Sequence, residues 1–449
     1  MKKEFLRSLM RNPVAGFLLS VVLAGAAPQV VQAEEDNFSL TGEIREHLAM
    51  DMQNDLPNED QFANHLEIIA GHRFDLDDDL YLQAEGKINS FYYDQRDFEK
   101  ADLRLHNFFL DYGQEKYDLR VGNQIVTWGK SDELSAIDIV NPEDMRRGLV
   151  RSRTERKIPI PMINLRYFEE ENEGQVVLIP FFKGHEFDFD DTDWAAFGNI
   201  QSDLPGFRLS RDKPDSSLAN AELGLRFTST VDSTDYGISY FHGRDDMPGV
   251  STMSAPEGFS IRGLEATSED LARYSVATMQ DLPLTNLRQN ILGLEFETTD
   301  GEFGIRGDMA LIDRRQFLSA DGIRPLEKPV VQYVVGADYS TVTDVYFNLQ
   351  FSQQYIQNYT DDILYFKEFT NGIWFNFAKT FSETELKFDL YYYRDFSRSS
   401  DYLSPRFVST YWENLEIQFG LDIIGGPRDS SLGFYRHNDQ VFVALDADF

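Results

Sequence analysis

From Phe38 onward, apolar and polar residues alternate in runs of about ten, the period of extended strands whose two faces meet different surroundings. Leu415, Ile417, Phe419, Leu421 and Ile423 form one apolar row, with Glu416, Gln418, Gly420 and Asp422 between them. Val345, Phe347, Leu349 and Phe351 repeat the pattern against Tyr346, Asn348, Gln350 and Ser352. So do Leu386, Phe388, Leu390 and Tyr392 against Lys387, Asp389 and Tyr391, and Leu223, Leu225 and Phe227 against Glu222, Gly224 and Arg226. Charges therefore fall in mid-strand, on a face that must be wet. Marking every such run predicts eighteen strands, near 38–49, 63–74, 80–93, 103–113, 116–126, 161–169, 175–183, 220–229, 234–242, 290–299, 302–311, 330–339, 344–354, 372–381, 384–394, 402–409, 414–423 and 440–449.

The connections carry a second, independent pattern. Short polar linkers follow the even strands, at 75–79, 114–115, 170–174, 230–233, 300–301, 340–343, 382–383 and 410–413, whereas those after odd strands are mostly long, above all 243–289. A soluble β-sandwich has no reason to segregate its loops in this way. The fold class expected is all-β, a transmembrane antiparallel β-barrel of about 18 strands (16–18). Bilayer hydrocarbon offers no partner to backbone N–H and C=O groups, so a sheet there must close and leave no edge. A barrel of that size leaves an aqueous lumen in which charges are tolerated.

Export is implied by the first 33 residues. Lys2, Lys3, Arg7 and Arg11 precede an apolar run from Val14 to Ala27, and Val31-Gln32-Ala33 stands before Glu34-Glu35-Asp36, the form of a cleaved secretory signal peptide. An uncleaved anchor is disfavoured, because the run falls short of the ~20 residues a spanning helix needs. The mature part, 34–449, is expected to be a single barrel reaching the bacterial outer membrane through a Sec-type route and the periplasm. Cysteine is absent, which excludes disulfides, thiolate metal sites and cysteine nucleophiles. A formal charge of −34 speaks against nucleic acid as a partner, while 36 Phe and 21 Tyr speak against an acidic disordered chain.

The last strand alternates Val441, Val443, Leu445 and Ala447 and closes on Phe449. It resembles the insertion signal read by the barrel-assembly machinery, with periplasmic chaperones as further partners in biogenesis. One long connection, 127–160, has specific character. It follows Gly122-Asn123-Gln124-Ile125-Val126-Thr127-Trp128-Gly129 and holds Ile137-Asp138-Ile139-Val140-Asn141-Pro142-Glu143-Asp144, ending at Pro159-Ile160-Pro161-Met162. These strings resemble a family of outer-membrane barrels catalogued as a domain of unknown function and often encoded beside RND-type exporters. Its motifs are matched at Gly122, Gln124, Trp128, Gly129, Asp138, Asn141, Pro142, Asp144, Pro159 and Pro161, and near the C-terminus at Gly433-Phe434-Tyr435-Arg436 and Asn438-Asp439. The resemblance implies a lipid-facing porin-like barrel linked to efflux or export, with an RND-type inner-membrane exporter among its partners.

As the third loop on the long-loop side, 127–160 is by position the candidate inward-folded constriction. Its charge is locally reversed by Arg146, Arg147, Arg151, Arg153, Arg156 and Lys157 against Glu143, Asp144 and Glu155. Three readings stand side by side: contact with anionic or amphipathic solutes, pairing with wall carboxylates such as Glu85, Glu222, Glu295 or Asp389, and binding of lipopolysaccharide phosphates. The function expected is passage or export of small, anionic or hydrophobic solutes through the lumen. Its rival is a structural or adhesive barrel acting through long extracellular loops at 184–219 and 243–289. No cofactor or metal is expected. Asp188, Asp190, Asp191 and Asp193 read as a solvated acidic loop rather than a calcium site. A lipid hydrolase built on His72 and Ser90 has no motif behind it, and the chain is not expected to be an enzyme.

Overall fold

A computed structural model describes residues 39–53, 61–94, 98–189, 192–197, 206–212, 214–215, 217–255, 257–258 and 268–449. The expected signal segment, 1–33, lies outside them. The strands are β1 (Thr41–Asp51), β2 (Phe62–Asp77), β3 (Leu80–Tyr93), β4 (Phe98–Gln114), β5 (Tyr117–Gln124), β6 (Ile160–Glu169), β7 (Asn172–Ile179), β8 (Leu209–Asp212), β9 (Glu222–Val231), β10 (Thr234–Arg244), β11 (Gly249–Val250), β12 (Leu282–Thr285), β13 (Arg288–Asp300), β14 (Phe303–Ser319), β15 (Arg324–Ser340), β16 (Val345–Ile356), β17 (Phe369–Phe381), β18 (Leu386–Asp395), β19 (Ser400–Trp412), β20 (Leu415–Gly425) and β21 (Gln440–Asp448).

Eighteen of them form one antiparallel sheet, and each of the eighteen overlaps one predicted run. The sheet closes where β1 pairs with β21, from Glu43 opposite Asp448 to Asp51 opposite Gln440. Gly42 and the terminal Phe449 exchange backbone hydrogen bonds at 2.9 and 3.0 Å, so the chain's end is sewn into the seam. Eight tight turns lie at one end of the wall. Glu170, Asp232, Gly301, Asp344 and Glu385 turn the chain there with φ between 51° and 62°.

Register explains the alternation. Leu165, Val176, Leu225, Tyr240, Leu292, Leu311, Val331 and Tyr355 stand opposite one another across successive strands. Many large apolar side chains of this outer face, including Leu165, Leu225, Ile238, Leu294, Leu349, Phe407 and Phe419, are exposed. An exposed apolar belt of this extent is tolerated only against hydrocarbon, and closure leaves no backbone edge within it. The wall is that of a membrane-spanning barrel. No helix among the described residues is long and apolar enough to cross a membrane.

At the open end the structure departs from the expected long loops. β14 and β15 run on to Ser319 and from Arg324, so 312–329 is a hairpin extending the wall rather than a loop. Within the ranges 184–219 and 243–289, β8 pairs with β12 and β12 with β11 in a small separate sheet beside a helix, Ser268–Thr278. Phe197, Phe207, Met253, Leu271 and Leu282 of these segments bury against Leu318 and Ile323 of the β14–β15 hairpin. The acidic composition of these loops hid enough apolar residues to build a cap.

Replacing the lipid-facing Leu349 by Arg is expected to cost about 2–4 kcal/mol in reversible unfolding from lipid vesicles. Asn376→Arg, facing the lumen, should cost much less. Equal penalties would contradict the assignment of faces.

Candidate functional site: a loop secured across the lumen

Past Gln124 the chain leaves the wall, returning to it at Ile160. Asn141, 1 % exposed, ties the base of this excursion together. Its side-chain oxygen accepts from the Val126 N–H at 2.8 Å, and its amide donates to the carbonyls of Gln124 at 3.0 Å and Ile158 at 2.9 Å. An amide is the side chain suited to this, since it offers an acceptor and two donors on one short stem. Asp138 then receives two cations, Arg153 at 2.7 Å and Lys157 at 2.9 Å. That folds the second limb of the loop back against the first.

The first limb reaches the far wall. Trp128 is fully buried, its indole N–H donating to Gln175 of β7 at 2.8 Å. A β-carbon at Gly224 of β9 would stand 2.8 Å from the Trp128 ring, so glycine there makes room for it. The Gly129 N–H donates to Glu295 of β13 and the Lys130 N–H to Asp308 of β14, each at 2.8 Å. The Ser135 hydroxyl adds a 2.7 Å bond to Asp308, and the Leu134 N–H a 3.0 Å bond to Gln350 of β16. Gly129, at φ +89°, leaves no space for a side chain beside Asp308.

Between these bonds lies a dry core. Val126, Trp128, Ala136, Ile137 and Val140 of the loop pack on the inward-facing Val177, Phe241, Ile291, Ile312, Val330 and Ile356. The register sets Phe241, Ile291, Ile312, Val330 and Ile356 opposite one another in a second row, one residue removed from the lipid-facing row, which Gly224 continues to Val177. The inner wall along β7–β16 is thus apolar at this level and is filled by the loop. An aqueous lumen narrowed by this loop was expected; along β7–β16 at this height it is hydrophobic interior.

The second limb carries the arginines to β2 and β4. Arg146 meets Asp102 of β4 at 2.9 Å and its own neighbour Asp144 at 2.8 Å. Arg151 lies 3.2 Å from Glu67 of β2, a carboxylate 1 % exposed that also takes Lys87 at 2.7 Å and Arg45 at 3.5 Å. Arg156 pairs with Glu143 at 2.9 Å. Burial alone raises the carboxyls of Glu143, Asp144 and Glu155, but Arg156 beside Glu143, Arg146 beside Asp144 and Arg151 near Glu155 outweigh it and hold all three below the usual carboxylate range.

Five of the six basic residues therefore pair with a carboxylate, Arg153 and Lys157 sharing Asp138. The anticipated wall partners are not the ones used: Glu222 accepts from the Arg244 N–H, Glu85 from Gln83 and Asn107, Asp389 pairs with Lys387, and Glu295 with Arg226. The sixth, Arg147, faces His65 at 3.1 Å instead. Among the described residues the loop makes no hydrogen bond or ion pair to β17–β20, whose inner faces present Trp374, Asn376, Tyr391, Arg406 and Gln418.

The family model described as "Protein of unknown function (DUF1302)" matches residues 72–396, well over half of the chain. The chain belongs to the DUF1302 family. Among curated proteins none matches it. Solved structures similar to this DUF1302 chain include the outer membrane channel DcaP of Acinetobacter baumannii, at 10% identity and a TM-score of 0.42, covering 92% of this chain and 96% of that one. OccK5 (OpdH) of Pseudomonas aeruginosa matches at 9% identity and 0.48, covering 91% and 96%. OpdL of the same organism matches at 10% and 0.48, covering 92% and 98%.

In this DUF1302 chain the motif residues quoted from the sequence gather at the loop's base and anchor points. Gly122 (φ +136°) lies where a β-carbon would strike the Phe108 carbonyl at 2.3 Å. Gln124 donates to the Met162 carbonyl at 3.2 Å, while Pro142 accepts from the Ile158 N–H at 2.8 Å. Pro159 is buried beside Ile160, whereas Pro161 opens β6 on the outer face. Asn438 and Asp439 lie apart from the loop. Asn438 donates to the Asp193 carbonyl at 2.8 Å, and Asp439 accepts from the Ile424 N–H at 2.7 Å.

Other expectations fare differently. Ser90 stands opposite Leu66, six residues along β2 from His72, about 20 Å at the rise of a strand, so the two form no catalytic pair. Asp188 takes Lys100 at 2.7 Å, while Asp190 and Asp191 lie outside the described residues.

Asn141→Ala removes three buried hydrogen bonds and should cost several kcal/mol, at roughly 1–3 for each polar group left unpaired. Faster proteolysis within 127–160 in an otherwise folded barrel is the expected readout. The loop's carboxylates predict an acid response as well. Because Glu143, Asp144 and Glu155 titrate lower in the folded loop than in an unfolded one, their contribution is complete above about pH 5 and is lost as pH falls below about 4. Protease resistance of the loop measured from pH 7 to 3 should hold to about 4 and then fail; loss between 7 and 5 would contradict it.

Proposed function

We propose that this barrel is an outer-membrane channel whose conduction path runs beside the second limb of loop 127–160, along the inner face of β17–β20. One observation carries the reading: the loop packs its apolar side on the β7–β16 wall and bonds to that wall and to β2 and β4, while β17–β20 receive no polar contact from it. Toward the open end that sector is covered by Val150 of the loop, which lies in an apolar cluster with Trp374, Tyr393, Tyr402 and Ile424; the rest of its inner face presents Asn376, Asp389, Tyr391, Arg406 and Gln418, polar residues of both charges that suit small hydrated solutes. Arg146, Arg151, Arg153, Arg156 and Lys157 serve in this reading as clamps that hold the constriction in place. Their pairing with carboxylates supports that role over direct solute contact.

The rival reading, a structural or adhesive surface barrel, draws support from the folded cap of β8, β11, β12 and the helix Ser268–Thr278 at the open end. Planar bilayers separate the two. The purified protein is expected to give stepwise currents, and removal of residues 143–157 to raise the unit conductance severalfold. A silent protein would favour the adhesive barrel, and an unchanged conductance in the deletion variant would remove the loop from the path.

A further inference from the structure

Trp374, Tyr393, Tyr402 and Ile424 stand opposite one another in a row across β17–β20, toward the open end of the sector to which the loop makes no polar bond. Two residues further in, the same faces carry the polar groups of Asn376, Tyr391, Ser404 and Asp422. Tyr402 and Ile424, with Leu432 and Trp194, are between 3 and 9 % exposed, so the wall does not meet water at the height of the row. Its cover comes from three separate stretches of chain. Val150 of the loop, Trp194 of the segment 192–197 and Tyr435 of the β20–β21 connection gather with the row in one apolar cluster.

Trp194 stands where these stretches meet. A β-carbon on Gly148, at φ +58°, would come 2.7 Å from its ring, so the indole lies directly on the loop's backbone. The ring also lies against Tyr435, with centroids 5.6 Å apart. The C-terminal motif, which the constriction does not use, builds this seat. Gly433 fits where a β-carbon would meet the Pro427 carbonyl at 2.1 Å, its N–H donates to the Ser430 hydroxyl at 3.0 Å, and the short turn Gly433–Tyr435 presents Tyr435. Asn438 donates to the Asp193 carbonyl at 2.8 Å, which holds the residue before Trp194 to the same connection. Asp439 accepts from the Ile424 N–H at 2.7 Å and so ties that connection to the end of β20. The segment's far end is rooted in the cap, where Phe197 shares an apolar core with Phe207, Met253 and Leu271.

We propose that Trp194, seated between Gly148 and Tyr435, is an apolar gate that shuts the conduction path at its open end, and that the cap and the C-terminal motif serve to carry it. Resting on the channel reading, this adds a closed state, the one seen in this structure. Water withdraws from a constriction lined by apolar side chains, and hydrated solutes cannot follow where water has left, so a row filled with rings blocks the path without any charge barrier. The contact is also of a kind that can part. Toward β7–β16 the loop is bonded to the wall, and separation there would strand buried polar groups. Toward β17–β20 the described residues make only apolar contact, so a swing of Trp194 off Gly148 would uncover Val150 and the row behind it without breaking a polar bond between loop and wall.

The test uses the full-length protein in planar bilayers, with migration of unboiled samples confirming that each barrel is closed. The wild type is expected to show brief stepwise openings between long closed dwells. Trp194→Ala should raise the open fraction about tenfold or more, since loss of a buried ring shifts a two-state equilibrium by at least that factor. Trp194→Phe keeps a ring on Gly148 and should gate much as the wild type does. Asn438→Ala leaves every ring in place but frees the Asp193 backbone, and should raise the open fraction severalfold; it decides the matter if Trp194→Ala fails to fold. Trp412→Ala, the same change at the turn end, should behave as wild type. A wild type that is open most of the time, an open fraction unchanged in Trp194→Ala, or silence of that variant while the 143–157 deletion conducts overturns the gate and leaves the channel reading standing. Silence of every variant, the deletion included, removes the channel reading and the gate with it.

Discussion

Every feature of this molecule answers to the backbone's demand for partners where water is absent. Hydrocarbon supplies none, so the sheet must close, and closure at eighteen strands encloses a space too wide for wall side chains alone to fill. Asn141 and Asp138 meet the same demand on a smaller scale. A loop that leaves the wall takes unpaired N–H and C=O groups with it, and the side chains of Asn141, Asp138, Glu295, Asp308 and Gln350 give them partners inside the barrel.

The two faces of the loop divide the lumen. Its apolar face removes the β7–β16 sector from water, and its charged face is held to β2 and β4 by ion pairs of buried arginines. Such pairs gain little net stability against a hydrophobic replacement, but losing one member leaves a costly orphan charge. They fix where the loop lies more than how firmly it folds. In the proposed channel, solutes follow the sector to which the loop makes no polar bond.

How much of this could be read from the chain depended on which signals were local. The alternation of Leu415 to Ile423 and the short turns after even strands revealed the barrel, because period and linker length survive without tertiary knowledge. The basic run from Arg146 to Lys157 and the motif residues around Asn141 were also visible, but not their partners. Glu67 and Asp102 lie far from the loop in sequence and look like any other inward carboxylates, so Glu85 or Asp389 seemed as good. The dry half of the lumen was missed, although a trace of it exists: Val176-Val177, Ile291-Leu292, Leu311-Ile312 and Val330-Val331 break the alternation with apolar doublets at similar depth. A strand apolar on both faces has something oily on both sides. The His65–Arg147 contact left no trace in the sequence, because it depends on strand register and loop course together.

The absence of native cysteine allows one direct test of the central claim that the loop lies across the lumen on its far wall. Cysteines introduced at Ser135 and Asp308, whose side chains touch at 2.7 Å, should be joined by a short bifunctional thiol reagent in the membrane-embedded barrel, and not after boiling. A folded, heat-modifiable barrel in which these two thiols react only singly would contradict the account.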